Sequence, residues 1–207
     1  MRWCVLILLA SSLFAGDGPR LFYSKSFPGS TPPYVQITVE RGGDVEYKEA
    51  PDDDSPLKYK LTEPEAAEVF GLADKLDHFK TPVESGLKVA FMGKKIFRWE
   101  NGAEKHELEF NYSEDLSARA LWQWFERMTE SAQQRINLDR AAKYDKLGVF
   151  KAVTLLASAL EQKRLVGLDQ YLPTLDRIIK NETYMHAARV RASEIAEAIR
   201  KGEPAAQ

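Results

Sequence analysis

The sequence predicts an α+β fold, an antiparallel sheet with helices packed on one face, followed by an all-α C-terminal region of helical hairpins. Three observations predict it. Apolar residues recur at period two over several short segments before residue 113. Gly-rich turns join such segments in pairs, and after residue 113 the apolar spacing changes to three and four. On this reading residues 1–15 are a signal peptide, 20–128 the α+β domain, 129–201 the helical region and 202–207 a disordered tail.

The chain opens with Arg2, an uncharged run from Trp3 to Phe14, small residues and then its first acid, Asp17. That order is the basic, apolar and small-residue order of a secretory signal. The apolar run is also shorter than the roughly 20 residues a helix needs to cross a bilayer. Cleavage is expected after Ala15, and a retained anchor is the rival reading. The chain's 1 cysteine, Cys4, leaves with the leader. It lies near the start of that run, whereas a lipid-anchor cysteine follows the apolar run, so it is misplaced for a lipid anchor. The mature chain then has no disulfide framework, thiol nucleophile or thiolate ligand. The expected location is periplasmic or secreted.

In Tyr34–Glu40, Val35, Ile37 and Val39 alternate, which is a strand with one buried face. Arg41-Gly42-Gly43-Asp44 is a turn, and Val45-Glu46-Tyr47 starts the returning strand. Pro51 to Pro56 is a loop, after which Leu57–Leu61 resumes period two. Thr62 and Glu65 form a capping box, with Pro64 in the first turn. The helix beyond them buries Ala66, Val69, Phe70, Ala73, Leu76 and Phe79 against the sheet. Val89 and Phe91 mark a third sheet segment. Ile96–Glu100, the Asn101-Gly102 turn and His106–Tyr112 form a second hairpin. Ser113 is expected to cap a helix carrying Leu116, Leu121, Phe125 and Met128. Two passes of strands followed by a helix suggest a pseudo-repeat.

From Thr129 the chain reads as helical. Gly148 and Gly167 interrupt it, separating stripes at Val149, Val153, Leu156 and Leu160 and at Leu172, Leu175, Ile178 and Ile179. Asn181-Glu182-Thr183 precedes a last stripe from Met185 through Ala188, Ala192 and Ile195 to Ile199. Short amphipathic helices with brief connections stack antiparallel, like one or two units of an α-solenoid, though no fixed repeat period is present.

Around residues 29–47, Gly29-Ser30-Thr31-Pro32-Pro33-Tyr34, an alternating strand, Gly42-Gly43 and Val45-Glu46-Tyr47 follow one another. The segment resembles a family of uncharacterised exported bacterial domains with a Gly-x-Cys-Pro-x-Tyr pattern. Thr31 stands at the family's cysteine position, so no redox role tied to that cysteine carries over. The resemblance implies a bacterial, extracytoplasmic setting and assigns no site.

The search for chemistry finds no catalytic, cofactor-binding or metal-ligating residue to single out. With 29 basic and 31 acidic residues the net charge is -2, and no basic stretch marks a nucleic-acid footprint. Lys94-Lys95 with Arg98, and Lys163-Arg164, read as solvated faces. None of the 3 histidines (His78, His106, His186) has a second at ligand spacing. Asp52-Asp53-Asp54 lacks the Gly and later Glu of a calcium loop and reads as a hydrated turn. Glu107 and Glu109 share the solvent side of a strand. No nucleophile elbow, phosphate loop or dinucleotide fingerprint occurs. Trp122 and Trp124 lie about 200° apart on their helix, so one is expected on the sheet and the other against the helical region or a partner.

The leading expectation is a non-enzymatic binding or scaffolding module of the bacterial envelope. It would need no cofactor, bind no nucleic acid, have no membrane span after signal cleavage, and meet another envelope protein or a peptide. The alternative is an enzyme of unknown class, such as a hydrolase, with a non-contiguous acid/base site. A pocket joining His106 or His78 to two carboxylates would favour it. A third reading is an inhibitor-like module whose uncharged sheet edge receives a partner strand.

Overall fold

A computed structural model of the chain describes residues 18–202. The expected leader, with Cys4, and residues 203–207 of the expected tail lie outside the described residues. Six strands form one sheet: β1 (Arg20–Ser26), β2 (Tyr34–Glu40), β3 (Asp44–Lys48), β4 (Leu57–Lys60), β5 (Lys94–Asn101) and β6 (Glu104–Phe110). Their order is β4-β3-β2-β1-β5-β6, antiparallel at every pairing. The first four strands meander outward from β1. α1 (Glu63–Lys75) then carries the chain back so that the β5–β6 hairpin adds to the other side of β1. α2 (Leu116–Tyr144), α3 (Val149–Glu161), α4 (Leu172–Lys180) and α5 (His186–Lys201) follow. The α+β class, the antiparallel sheet and the C-terminal helical region are as the sequence predicts.

Period two accounts for the sheet's buried face. Leu21, Tyr23, Val35, Ile37, Val39, Val45, Tyr47, Phe97, Trp99, Leu108 and Phe110 all point to one side and are buried under α1 and the first half of α2. The register places Tyr23 between Ile37 and Phe97. Above it the Phe125 ring of α2 stacks at 4.5 Å and 10°. Phe97 also packs against Phe79, Phe110 and Phe125, so the core is aromatic where the two halves of the sheet meet. The capping box on α1 is present: Thr62 N–H donates to Glu65 Oε2 at 2.8 Å, and Glu65 N–H donates to Thr62 Oγ1 at 3.4 Å.

Four details differ from the sequence reading. β1, the central strand, was not anticipated, because Phe22 between Leu21 and Tyr23 blurs the alternation; its ring instead packs under the Arg98 guanidinium at 3.7 Å. Val89 and Phe91 are not in a strand. They lie exposed in a loop between Phe79 and β5, and Gly86 and Gly93 take positive φ there. Asn111 holds this loop: its Oδ1 accepts from Met92 N–H at 2.7 Å and its Nδ2 donates to Ala90 O at 3.1 Å. The α2 cap is Asp115, which accepts from Ala118 N–H at 2.9 Å, while Ser113 Oγ accepts from Asp115 N–H. Finally, α1 ends in a left-handed turn in which Asp77, His78 and Phe79 have φ of 47°, 52° and 68°.

The helices make a second core. Leu138 and Ala142 of α2 pack with α3, α4, α5, Tyr171 and Tyr184. The expected division at residues 128–129 therefore falls inside a continuous helix that contributes to both cores. Tyrosine hydroxyls join these layers through α2 carbonyls: Tyr59 to Met128 O, Tyr171 to Ser131 O and Tyr184 to Ala142 O. Burial pushes the Tyr59 and Tyr171 hydroxyls well above the usual phenol range, so they act as fixed donors.

Gly167 closes the seam between the cores. Its N–H donates to the Glu65 carboxylate of α1, its φ is 59°, and a Cβ there would stand 2.8 Å from Lys60 O and 2.9 Å from the Tyr59 ring. Left-handed strain and overpacking both oppose a side chain at this position. Gly167→Ala is expected to cost about 2–4 kcal/mol, measured as a shift in the urea unfolding midpoint.

Candidate functional site

α2 buries its apolar side on both cores and turns a polar stripe the other way. Gln123, Glu126, Glu130, Gln133, Asn137 and Arg140 succeed one another at spacings of three and four, so they share one helix face. That stripe is about 25 Å long at the helical rise of about 1.5 Å per residue. Opposite it lies the β1–β2 loop. Phe27 N–H donates to Pro33 O at 2.8 Å, and Ser30 Oγ lies 2.8 Å from Phe27 O and 2.7 Å from Pro32 O. These bonds fold the loop back over the helix, and the Thr31–Pro32 peptide is cis.

Between loop and helix opens a cavity of about 610 Å³, with Arg164 lining a third side. A second hollow of about 270 Å³ continues it, sharing Thr31, Pro32, Gln133 and Asn137 and ending at Glu49 and Arg140. Together they form a groove along the whole stripe.

At one end the groove is built on an ionic cluster spanning over a hundred residues of sequence. The Glu126 carboxylate accepts from Lys25 Nζ at 2.9 and 3.1 Å, from Trp122 Nε1 at 2.9 Å and from Tyr23 OH at 3.2 Å. Burial, and then the Glu126 charge, push the Tyr23 hydroxyl well above the usual phenol range, which keeps it a donor. Glu130, one turn on, pairs with Arg164 at 2.7 Å. Both glutamates are therefore oriented by their partners.

Lys95 lies beneath this cluster. The register sets it directly opposite Lys25, and its side chain is fully buried. Like charges facing each other across a strand pair repel, and the fold separates their partners. Lys25 takes Glu126. Lys95 Nζ donates to the carbonyls of Asn111 at 2.7 Å and of Met92 and Gly93 at 3.2 Å, with the Trp122 ring 4.8 Å away. Burial first, then Lys25, lowers the amine below the usual lysine range.

The residues weighed in the sequence lie elsewhere. His78 stacks on Trp99 at 4.0 Å with Nε2 3.0 Å from Asp74 Oδ1, and His106 Nε2 is 3.0 Å from Glu104 Oε1. His186 begins α5. None lines the groove. Asp53 Oδ1 accepts from Ser55 N–H, a turn-closing bond. Glu107 and Glu109 are exposed and pair with Arg98 and Lys94. With Glu104 and Lys105 they charge the edge strand β6, which opposes addition of a partner strand there. Trp124 packs towards α1 and donates to Glu68 Oε1 at 3.1 Å, while Trp122 donates to Glu126. Trp124 belongs to the first core and Trp122 packs against it, so both serve the sheet side instead of dividing between the two regions. Among the described residues no group of three or more His, Cys, Asp or Glu could hold a metal ion, and no helix is long and apolar enough to cross a membrane.

Sequence reasoning missed Lys25, Glu126 and the polar stripe. The signal was the three-and-four spacing of amides and carboxylates on α2, a period ordinarily sought among apolar residues. No family model and no curated protein matches the chain.

Lys95→Met removes the one group that satisfies three carbonyls. It is expected to destabilise the protein by about 2–4 kcal/mol, read by chemical denaturation.

Proposed function

We propose that the chain is a non-enzymatic binding module of the bacterial envelope, and that it holds an extended polypeptide segment in the groove along α2. The observation that carries this reading is the polar stripe itself. Gln123, Gln133 and Asn137 each offer a side-chain amide that both donates and accepts, which is what a peptide backbone presents at every residue. A groove of about 25 Å accommodates about seven or eight extended residues at about 3.3 Å each.

Two further features support a binding role. Both groove glutamates, Glu126 and Glu130, are engaged by cations, so they serve as oriented acceptors rather than as free bases. Thr31, at the position where the resembling exported domains carry cysteine, lines both hollows. The resemblance and the groove thus bear on the same loop.

The test uses the purified protein and a displayed library of random heptapeptides. Enriched peptides are expected to perturb the backbone amide resonances of Thr31, Gln133 and Asn137 on titration. Gln133→Leu with Asn137→Leu should weaken binding about tenfold to hundredfold, the equivalent of one or two lost hydrogen bonds. Failure to enrich any peptide over an unrelated control protein, or perturbations confined to another surface, would refute the reading.

A further inference from the structure

The corner between α2 and α3 carries a separate set of observations. Within residues 140–151 the sequence has four basic residues, Arg140, Lys143, Lys146 and Lys151, and one acid, Asp145. That acid is turned onto the corner itself, where its Oδ1 accepts from Gly148 N–H at 2.9 Å. The ion pairs formed along α2 and α3 are Arg135–Asp139, Arg177–Asp139, Arg164–Glu130, Lys25–Glu126 and Arg191–Glu161, so among the described residues none of the corner's four cations is neutralised. Large apolar side chains stand beside them in solvent: Tyr144 is 73% exposed, Leu147 79% and Phe150 41%.

Either feature alone is ordinary. Their coincidence on one projecting turn is not, because burying apolar groups is the usual use of such side chains and pairing is the usual fate of clustered charges. The neighbouring Val149 is fully buried in the second core. The fold therefore anchors the corner through Val149 and leaves Leu147 and Phe150 facing outward.

We propose that this corner docks on a bilayer surface bearing acidic headgroups. Charge complementarity selects the occupant: unpaired lysines meet anionic headgroups while Leu147, Tyr144 and Phe150 enter the boundary between headgroups and acyl chains. Tyrosine suits that depth because its ring is apolar and its hydroxyl polar. Lysine stems lie along the apolar layer with their amines in the headgroups. A nucleic-acid phosphate backbone would satisfy the lysines and leave an aliphatic tip such as Leu147 without a role. The contact is peripheral and is independent of the peptide groove, although Arg140 closes the groove's far end one turn away.

The experiment is flotation of the purified protein, its N-terminus determined, with vesicles of 7:3 phosphatidylcholine:phosphatidylglycerol and with phosphatidylcholine alone. At about fivefold per basic residue, three lysines should favour the acidic vesicles about a hundredfold at low salt. Lys143→Glu with Lys146→Glu should abolish that preference. Leu147→Ser with Tyr144→Ser, which changes no charge, should lower binding to the acidic vesicles about tenfold. All four positions are exposed, so melting temperatures should be unchanged. Equal binding to both vesicle types overturns the proposal, as does charge reversal without effect. Binding that survives the Leu147/Tyr144 substitutions also overturns it. So does a DNA duplex or polyglutamate binding as tightly as the acidic vesicles, which would make the occupant something other than lipid.

Discussion

The architecture depends on how α2 is seated on β1. Two successive residues fix it. Phe125 stacks on the Tyr23 ring, and Glu126 accepts from the Tyr23 hydroxyl and from Lys25 two residues along the same strand. The apolar contact sets the height of the helix over the sheet, and the ionic contact sets its rotation. Because α2 runs for 29 residues, its rotation over the central strand determines what every later turn faces. Leu138 and Ala142 meet the second core only because Phe125 meets the first. The same rotation points Gln133 and Asn137 towards the β1–β2 loop, and the groove is the consequence.

Placing lysines opposite each other on the buried side of β1 and β5 would ordinarily be a defect. Here the two amines are separated by function. Lys25 is the cation that orients Glu126. Lys95 is held almost entirely by main-chain carbonyls, from both the loop before β5 and the end of β6. Its three bonds gather segments that share no ladder hydrogen bonds, and they finish the sheet where Gly93 ends regular pairing. Asn111 works from the other direction, holding Met92 and Ala90 with its side chain while giving its carbonyl to Lys95. The loop from Pro82 to Gly93 stays outside the sheet because its polar backbone groups are satisfied by these side chains instead of by a neighbouring strand.

That arrangement explains which parts of the fold were legible in the sequence. Hairpins were, because turn chemistry and period two are local. β2 with β3, and β5 with β6, followed from Gly42-Gly43 and Asn101-Gly102 together with the alternation on either side of them. Helix stripes were legible for the same reason. Val89 and Phe91 misled because alternation shows which residues share a face and not whether a strand lies alongside. β1 was hidden by Phe22, an aromatic on the outer face that finds its partner in Arg98. The site was the least legible, since Lys25 and Glu126 are brought together only by the long return through α1 and β5. No short-range spacing encodes that meeting.

The polar stripe itself argues for use. A helix lying between two cores could have united them with apolar residues on that side, gaining about 25 cal/mol for each Å² removed from water. Gln123, Glu126, Glu130, Gln133 and Asn137 forgo that gain over about 25 Å of helix, and the loop carrying Ser30 and Thr31 is bonded into a wall that keeps the space open. A sequence that follows local rules in its strands, caps and helix stripes, yet departs from them along one continuous face, departs where function rather than stability has set the residues. The same reasoning applies at the far end of α2. There the apolar rule is broken in the opposite sense, with Tyr144 and Leu147 left in solvent, and the one available acid is withdrawn from the lysines beside it.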